Sequence, residues 1–189
     1  MHNEFDEKEY REKLRQQLVE AHGKVEYTYT AHHKINDRIV CWDKVLRMIQ
    51  IILTAISTGG FLATIISNQT ALSWIGGVAA ALSLGLNLYT KDFKLFESAQ
   101  KHKEAADALW QIREAYISLL TDMDAIPVGE VVQKRDDLTK KLAEIYKHAP
   151  GTDRRGYKTA KKALVNEDEQ TFYEGEAEKF LPTSLRKKS

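Results

Sequence analysis

From residue 6 to residue 40 the chain sets aromatic and aliphatic side chains among charges at helical spacing, at Tyr10, Leu14, Leu18, Val25, Tyr29, Ile35 and Ile39. This pattern predicts one long amphipathic helix, with a bend or frayed turn at Gly23. The run Glu26-Tyr27-Thr28-Tyr29-Thr30 has strand propensity, but no second strand follows for it to pair with, so it is assigned to the helix. From Val45 to Ile66 the polar face disappears and the helical pattern becomes apolar all round. At about 1.5 Å per residue that stretch is long enough to cross a hydrocarbon core of about 30 Å. Ser67-Asn68-Gln69-Thr70 interrupts it, and Ala71 to Thr90 supplies a second stretch of similar length. Past Lys91 amphipathicity returns, with Phe93, Phe96, Ala99, Ala106, Leu109, Trp110 and Tyr116 broadly on one face. Pro127 and Gly129 break that helix, another is predicted over Val131 to His148, and Pro150-Gly151 ends it.

The pattern therefore predicts an all-α membrane protein: a two-transmembrane-helix hairpin with long cytosolic helical extensions. Residues 1–45 form an N-terminal amphipathic helix, 46–90 the hairpin (spans 46–66 and 71–90), 91–150 a cytosolic helical pair and 151–189 a charged tail. The tail is basic from Arg154 to Lys162, acidic from Glu167 to Glu178 and basic again at Arg186, Lys187 and Lys188, which predicts short, loosely held helices.

Charge alters this picture through its placement. Charged residues make up 29% of the chain, yet no Asp, Glu, Lys, Arg or His occurs between Met48 and Thr90. The competing fold is a soluble bundle with these helices at its centre, since a helix apolar all round can also be a buried one. Two adjacent stretches of bilayer length weigh against it. So do the flanks: Lys34, Arg38, Lys44 and Arg47 precede the first span, Lys91, Lys94, Lys101 and Lys103 follow the second, and the turn between has no basic residue. This asymmetry places both termini in the cytoplasm and the turn outside. Ser73, Gly77, Ala81 and Gly85 lie four apart, a small-residue ladder of the kind used for helix packing in lipid. Trp74, Trp42 and Tyr89 fall where interfacial aromatics are expected. Asn68-Gln69-Thr70 matches a glycosylation sequon, but so short a turn cannot lift it clear of the membrane. The N-terminus is too polar for a secretory signal peptide, so insertion relies on the internal spans.

Little in the chain points to catalysis. No phosphate-binding glycine loop, nucleophile elbow or CxxC pair occurs, and Cys41, the single cysteine, excludes an internal disulfide. His22, His32 and His33 lack a second cluster to complete a metal site and read as solvated. No enzyme activity, cofactor or metal is expected. A pore is the more informative candidate. One hairpin cannot enclose water, but a homo-oligomer of hairpins can if each gives a polar stripe to a shared axis. Gln50, Thr54 and Thr58, with Ser57 beside them, form such a stripe, and Asn87 falls at a depth similar to Gln50. The alternative is that these groups hydrogen-bond between helices and never meet water. Arg154, Arg155, Lys158, Lys161 and Lys162 are candidates for binding membrane lipid or the phosphates of a nucleotide second messenger, or else form a solvated face paired with the acidic block. Phe93, Phe96, Trp110 and Tyr116 suit an oligomer core or a partner surface, so a non-pore membrane anchor recruiting a cytosolic protein stays open as the competing function.

The helix YTYTAHHKINDRIVCWDKVLRMIQIILTAIST feeding the first span, and FESAQKHKEAADALWQIREAYISLL leaving the second, resemble the SLATT family, the SMODS- and SLOG-associating two-transmembrane effector domains of bacterial conflict systems. The resemblance runs from about Leu14 to Tyr146, with the tail from Gly151 outside it. It implies a pore-forming effector of anti-phage abortive infection, triggered by a cytosolic sensor such as a cyclic-oligonucleotide synthase or a reverse transcriptase system. It assigns a role to no individual residue.

Overall fold

The structure, a computed structural model, describes residues 2–67, 70–182 and 186. Asn68 and Gln69 of the expected outer turn, and Lys187 and Lys188 of the last basic block, lie outside the described residues. All regular elements among the described residues are helical: α1 His2–Ser67, α2 Thr70–Phe93, α3 Leu95–Asp122, α4 Val128–His148 and α5 Arg154–Lys161, followed by a π turn Lys162–Asn166 and a 3-10 turn Ala177–Phe180.

Helix α1 is a single unbroken rod of 66 residues, about 100 Å long. It passes through Gly23, where a bend was expected. Leu18 and Val25, both fully buried, hold the turns on either side, and this packing outweighs the roughly 1 kcal/mol preference against a helical glycine. The sequence boundary between residues 45 and 46 falls inside this rod, so its first two-thirds and its apolar third share one backbone.

The first two-thirds of α1 packs with α3 and α4. Leu14, Leu18 and Val25 meet Leu109, Ile112, Tyr116, Leu119 and Met123, and Val131 and Leu138 of α4 close the core. Arg11 fastens the α3–α4 turn by donating to the carbonyls of Met123 at 2.7 Å and Ile126 at 3.2 Å. Pro127 caps α4, its carbonyl accepting from the amides of Glu130 and Val131. The helix therefore starts three residues earlier than the sequence predicts, because a proline with no N–H to satisfy suits a helix start. Between α2 and α3 the chain breaks at Lys94, whose φ of 40° and ψ of 48° lie in the left-handed region, uncommon for a residue with a Cβ.

The tail to residue 170 is docked against α1, contrary to the loosely held arrangement expected. Asp153 caps α5 by accepting from the Gly156 amide at 2.6 Å and also pairs with Arg38. The Cβ site of Gly156 lies 2.5 Å from Ile35 Cγ1, so only glycine lets α5 come this close. Tyr157 stacks on Tyr27 at 4.7 Å between ring centroids, and Ala160 and Ala163 are buried. Lys34 then pairs with Glu169 at 2.7 Å.

Candidate functional site

The remaining third of α1 and all of α2 form an antiparallel hairpin that the rest of the chain does not cover. None of the apolar window of α1 and 11% of that of α2 is buried, and Ile66 and Trp74 are 85% and 74% exposed. A soluble fold would shield these helices in its core, so the exposure argues against the soluble-bundle alternative.

The less exposed positions define the seam: Leu46, Gln50, Leu53, Ser57, Gly60 and Thr64 on α1, with Ala63 beside them, and Leu72, Gly76, Ala79, Ser83, Leu86 and Thr90 on α2. Both sets alternate steps of four and three, the spacing that keeps side chains facing one partner helix. Closest approach is glycine against glycine. A Cβ on Gly60 would lie 3.3 Å from Gly76 Cα, and one on Gly76 would lie 3.2 Å from the Ser57 carbonyl oxygen. Two hydroxyl contacts cross the seam, Thr54 to Ser83 and Ser73 to Thr64, each 3.2 Å. Thr54 and Thr64 also donate to the carbonyls of Gln50 and Gly60 one turn earlier.

The small-residue ladder is therefore not the seam of this hairpin. Ser73 reaches it, but Gly77, Ala81 and Gly85 are exposed, and the Cβ sites of Gly77 and Gly85 have no neighbour within 4 Å. Steps of four rotate a ladder by about 40° each around a helix of 3.6 residues per turn, so three steps carry it about 120° round, off the seam. The polar stripe drifts in the same way. Gln50 and Ser57 are half-buried in the seam, Thr54 is held at its edge by Ser83, and Thr58 points outward. Asn87 is also outward and exposed, and Thr90 Oγ1 donates to its backbone carbonyl at 3.1 Å.

At the end of the hairpin that adjoins the bundle, Trp42, Tyr89, Phe93 and Phe96 are exposed, with Tyr89 and Phe93 rings 4.3 Å apart. Just beyond, His32 of α1 meets His102 of α3, their Nδ1 atoms 2.9 Å apart. Both rings are buried, which corrects the reading of His32 as solvated. One ring must carry its proton on Nδ1 and donate, while the other carries it on Nε2 and accepts. Burial pushes His32 down to about 4, with His102 and His33 adding to the shift. His102 is lowered by burial and by Arg38, against the opposing pull of Asp153. The pair is a neutral polar contact at physiological pH. Sequence reasoning could not find it, because the partners are 70 residues apart.

Of the five tail cations, Lys162 pairs with Glu167 at 2.7 Å, the one link of the expected kind to the acidic block. Arg154, Arg155, Lys158 and Lys161 are exposed on α5 and make no ion pair among the described residues.

The family model for SMODS and SLOG-associating 2TM effector domain family 4, SLATT_4, matches residues 14–176. The chain belongs to this family. No curated protein and no solved structure matches it. Within a SLATT domain the uncovered hairpin is the two-transmembrane element, and its bare apolar surface is the part suited to lipid. The match also corrects the extent read from the sequence. The SLATT_4 region takes in α5 and the acidic block as far as Glu176, which the resemblance had placed outside the shared pattern. The docking of α5 and of the chain as far as residue 170 onto α1 is the physical counterpart, since it makes them an integral part of this SLATT domain's helical bundle.

Proposed function

We propose that this SLATT domain is an anti-phage effector whose hairpins oligomerise into a pore in the bacterial inner membrane, with both termini cytoplasmic. The observation that carries this reading is the outward direction of Thr58 and Asn87. A lone hairpin in a bilayer would present both to hydrocarbon, where an unpartnered amide or hydroxyl costs several kcal/mol. Neighbouring copies remove that cost by enclosing the groups or by turning them toward water on a shared axis. The open faces of Gly77, Ala81 and Gly85 suit the close approach of such copies. The trigger in this reading is a cytosolic sensor, or the nucleotide messenger it makes, acting on the bundle.

A second reading has its own support. The Thr54–Ser83 and Thr64–Ser73 contacts satisfy seam hydroxyls inside one hairpin, as an anchor for a cytosolic recruiter would need. Dye and ion release from liposomes, measured across protein-to-lipid ratios, separates the two. A pore gives release that rises steeply with protein density and falls at least tenfold in a Thr58→Leu/Asn87→Leu variant. Inserted protein that releases nothing, even with the activating sensor system present, would leave the anchor reading in its place.

A further inference from the structure

The cations of α5 fall into a pattern that their docking explains. At about 100° per residue, Gly156, Ala160 and Ala163 share one face, the buried one, while Arg154, Lys158 and Lys161 share the opposite face, with Arg155 beside it. The helix is seated by its small residues, and everything cationic on it is left outside.

Helix α1 serves as a ruler for where that face sits. Its charge-free stretch begins at Met48, and Arg38, which holds Asp153 at the start of α5, lies ten residues earlier. The rise of a helix puts Arg38 about 15 Å below the hydrocarbon edge, with Asp153 beside it. Headgroups occupy roughly the first 5–7 Å outside the hydrocarbon. The first turn of α5 is thus within about one Debye length of the lipid phosphates. Its direction adds to this. Asp153 and Gly156 meet Arg38 and Ile35, whereas the next residue, Tyr157, meets Tyr27. The helix therefore starts at its membrane-proximal end and runs away from the bilayer. Helical side chains tilt toward the helix N-terminus, so Arg154, Arg155 and Lys158 lean toward the membrane.

We infer that α5 is a lipid clamp, in which Arg154, Arg155 and Lys158 engage the phosphates of anionic headgroups in the adjoining leaflet. The inference rests on the two-transmembrane placement of the hairpin and is independent of pore formation. A diffuse anionic surface fits better than a discrete soluble phosphate ligand. The cations fan out along a convex, exposed helix face, with no converging backbone donors to enclose a single anion, whereas a charged lipid surface rewards each nearby cation separately.

The test uses the full chain in lipid nanodiscs. Thr159→Cys, in a Cys41→Ser background, carries a fluorophore on the exposed flank of α5, and the quencher is a nitroxide attached to the lipid headgroup. Quenching is compared in phosphatidylcholine alone and with increasing phosphatidylglycerol. It is expected to rise with the anionic fraction. In an Arg154→Gln/Arg155→Gln/Lys158→Gln variant that rise is lost, because removing three surface cations weakens association roughly a hundredfold. The same change at Lys134, Lys140 and Lys141 on α4 leaves it intact. Circular dichroism confirms that each variant is folded, and quenching of Trp74 by brominated acyl chains confirms that the hairpin is inserted. Inserted protein whose α5 signal ignores the anionic fraction would overturn the clamp alone. Loss of the signal on adding millimolar soluble glycerol phosphate at constant ionic strength would replace the lipid with a free anion. Absence of acyl-chain quenching would overturn the membrane placement and the clamp together.

Discussion

Replacing Gly76, and separately its neighbour Gly77, tests whether the hairpin seam is where the structure puts it. A methyl group at Gly76 would stand 3.2 Å from the Ser57 carbonyl oxygen and 3.4 Å from the Phe61 nitrogen. Both are backbone atoms of a helix, so neither yields alone, and the two spans must part along their length. That movement also loosens Gly60 against Gly76. Overpacking of this kind costs about 1–3 kcal/mol, and alanine recovers about 0.8–1 kcal/mol over glycine through helix propensity. The net expectation for Gly76→Ala is a loss of about 1 kcal/mol, deepening to about 2–3 kcal/mol for Gly76→Val as the added bulk grows. At Gly77 nothing lies within 4 Å of the Cβ site, so Gly77→Ala keeps only the propensity gain and is neutral or slightly stabilising. Unfolding is titrated with SDS in mixed micelles and followed by Trp74 fluorescence in a Trp42→Phe/Trp110→Phe background. Equal damage at Gly76 and Gly77, or a neutral Gly76→Val, would refute the seam and return the packing role to the four-residue ladder.

Three further outcomes concern the bundle of α1, α3, α4 and α5. Gly156→Val should expel α5 from α1 and expose the 149–153 linker to limited proteolysis, and Ile35→Ala should restore part of the protection by making room for the added side chain. His32 is held neutral in the fold at about 4 against an ordinary value of about 6.5, so the unfolded chain binds the extra proton first and stability falls as pH drops below that ordinary value. The loss between pH 7 and pH 5 is about 2 kcal/mol, read as a lower thermal midpoint, and His32→Gln should flatten the dependence. Arg113 pairs with Glu26, a carboxylate whose side chain is only 15% exposed. Arg113→Leu strands that charge beside His22 and should cost about 3–5 kcal/mol in chemical denaturation, with Glu26→Gln recovering most of it.

The fold was legible wherever its signal is local and one-dimensional. Two apolar stretches of bilayer length, the proline before α4 and the helical recurrence on either side each declare themselves in the chain. The faces were harder to read. Ser73, Gly77, Ala81 and Gly85 look like a contact surface in sequence because equal steps catch the eye, yet equal steps of four wind around the helix. The true seam, marked by Gly60 and Gly76, alternates four and three and mixes residue types. The docking of α5 had a signal in Gly156, Ala160 and Ala163, small residues spaced to lie on one face, but the cations between them drew the reading toward charge. The His32–His102 contact left no trace at all, since nothing in either helix specifies which element will cover it.

The unbroken α1 and the break at Lys94 together set how the two halves of this protein can speak to each other. One strut enters the membrane as a stiff beam, while the other is jointed at the point of entry. A beam held at the bilayer surface is a lever with unequal arms, the arm in the bundle about twice the length of the embedded one. A sideways push at the remote end of the bundle therefore reaches the far tip of the first span as a movement half as large, delivered with twice the force. The seam carries the second span with it, and the break at Lys94 takes up the change of angle.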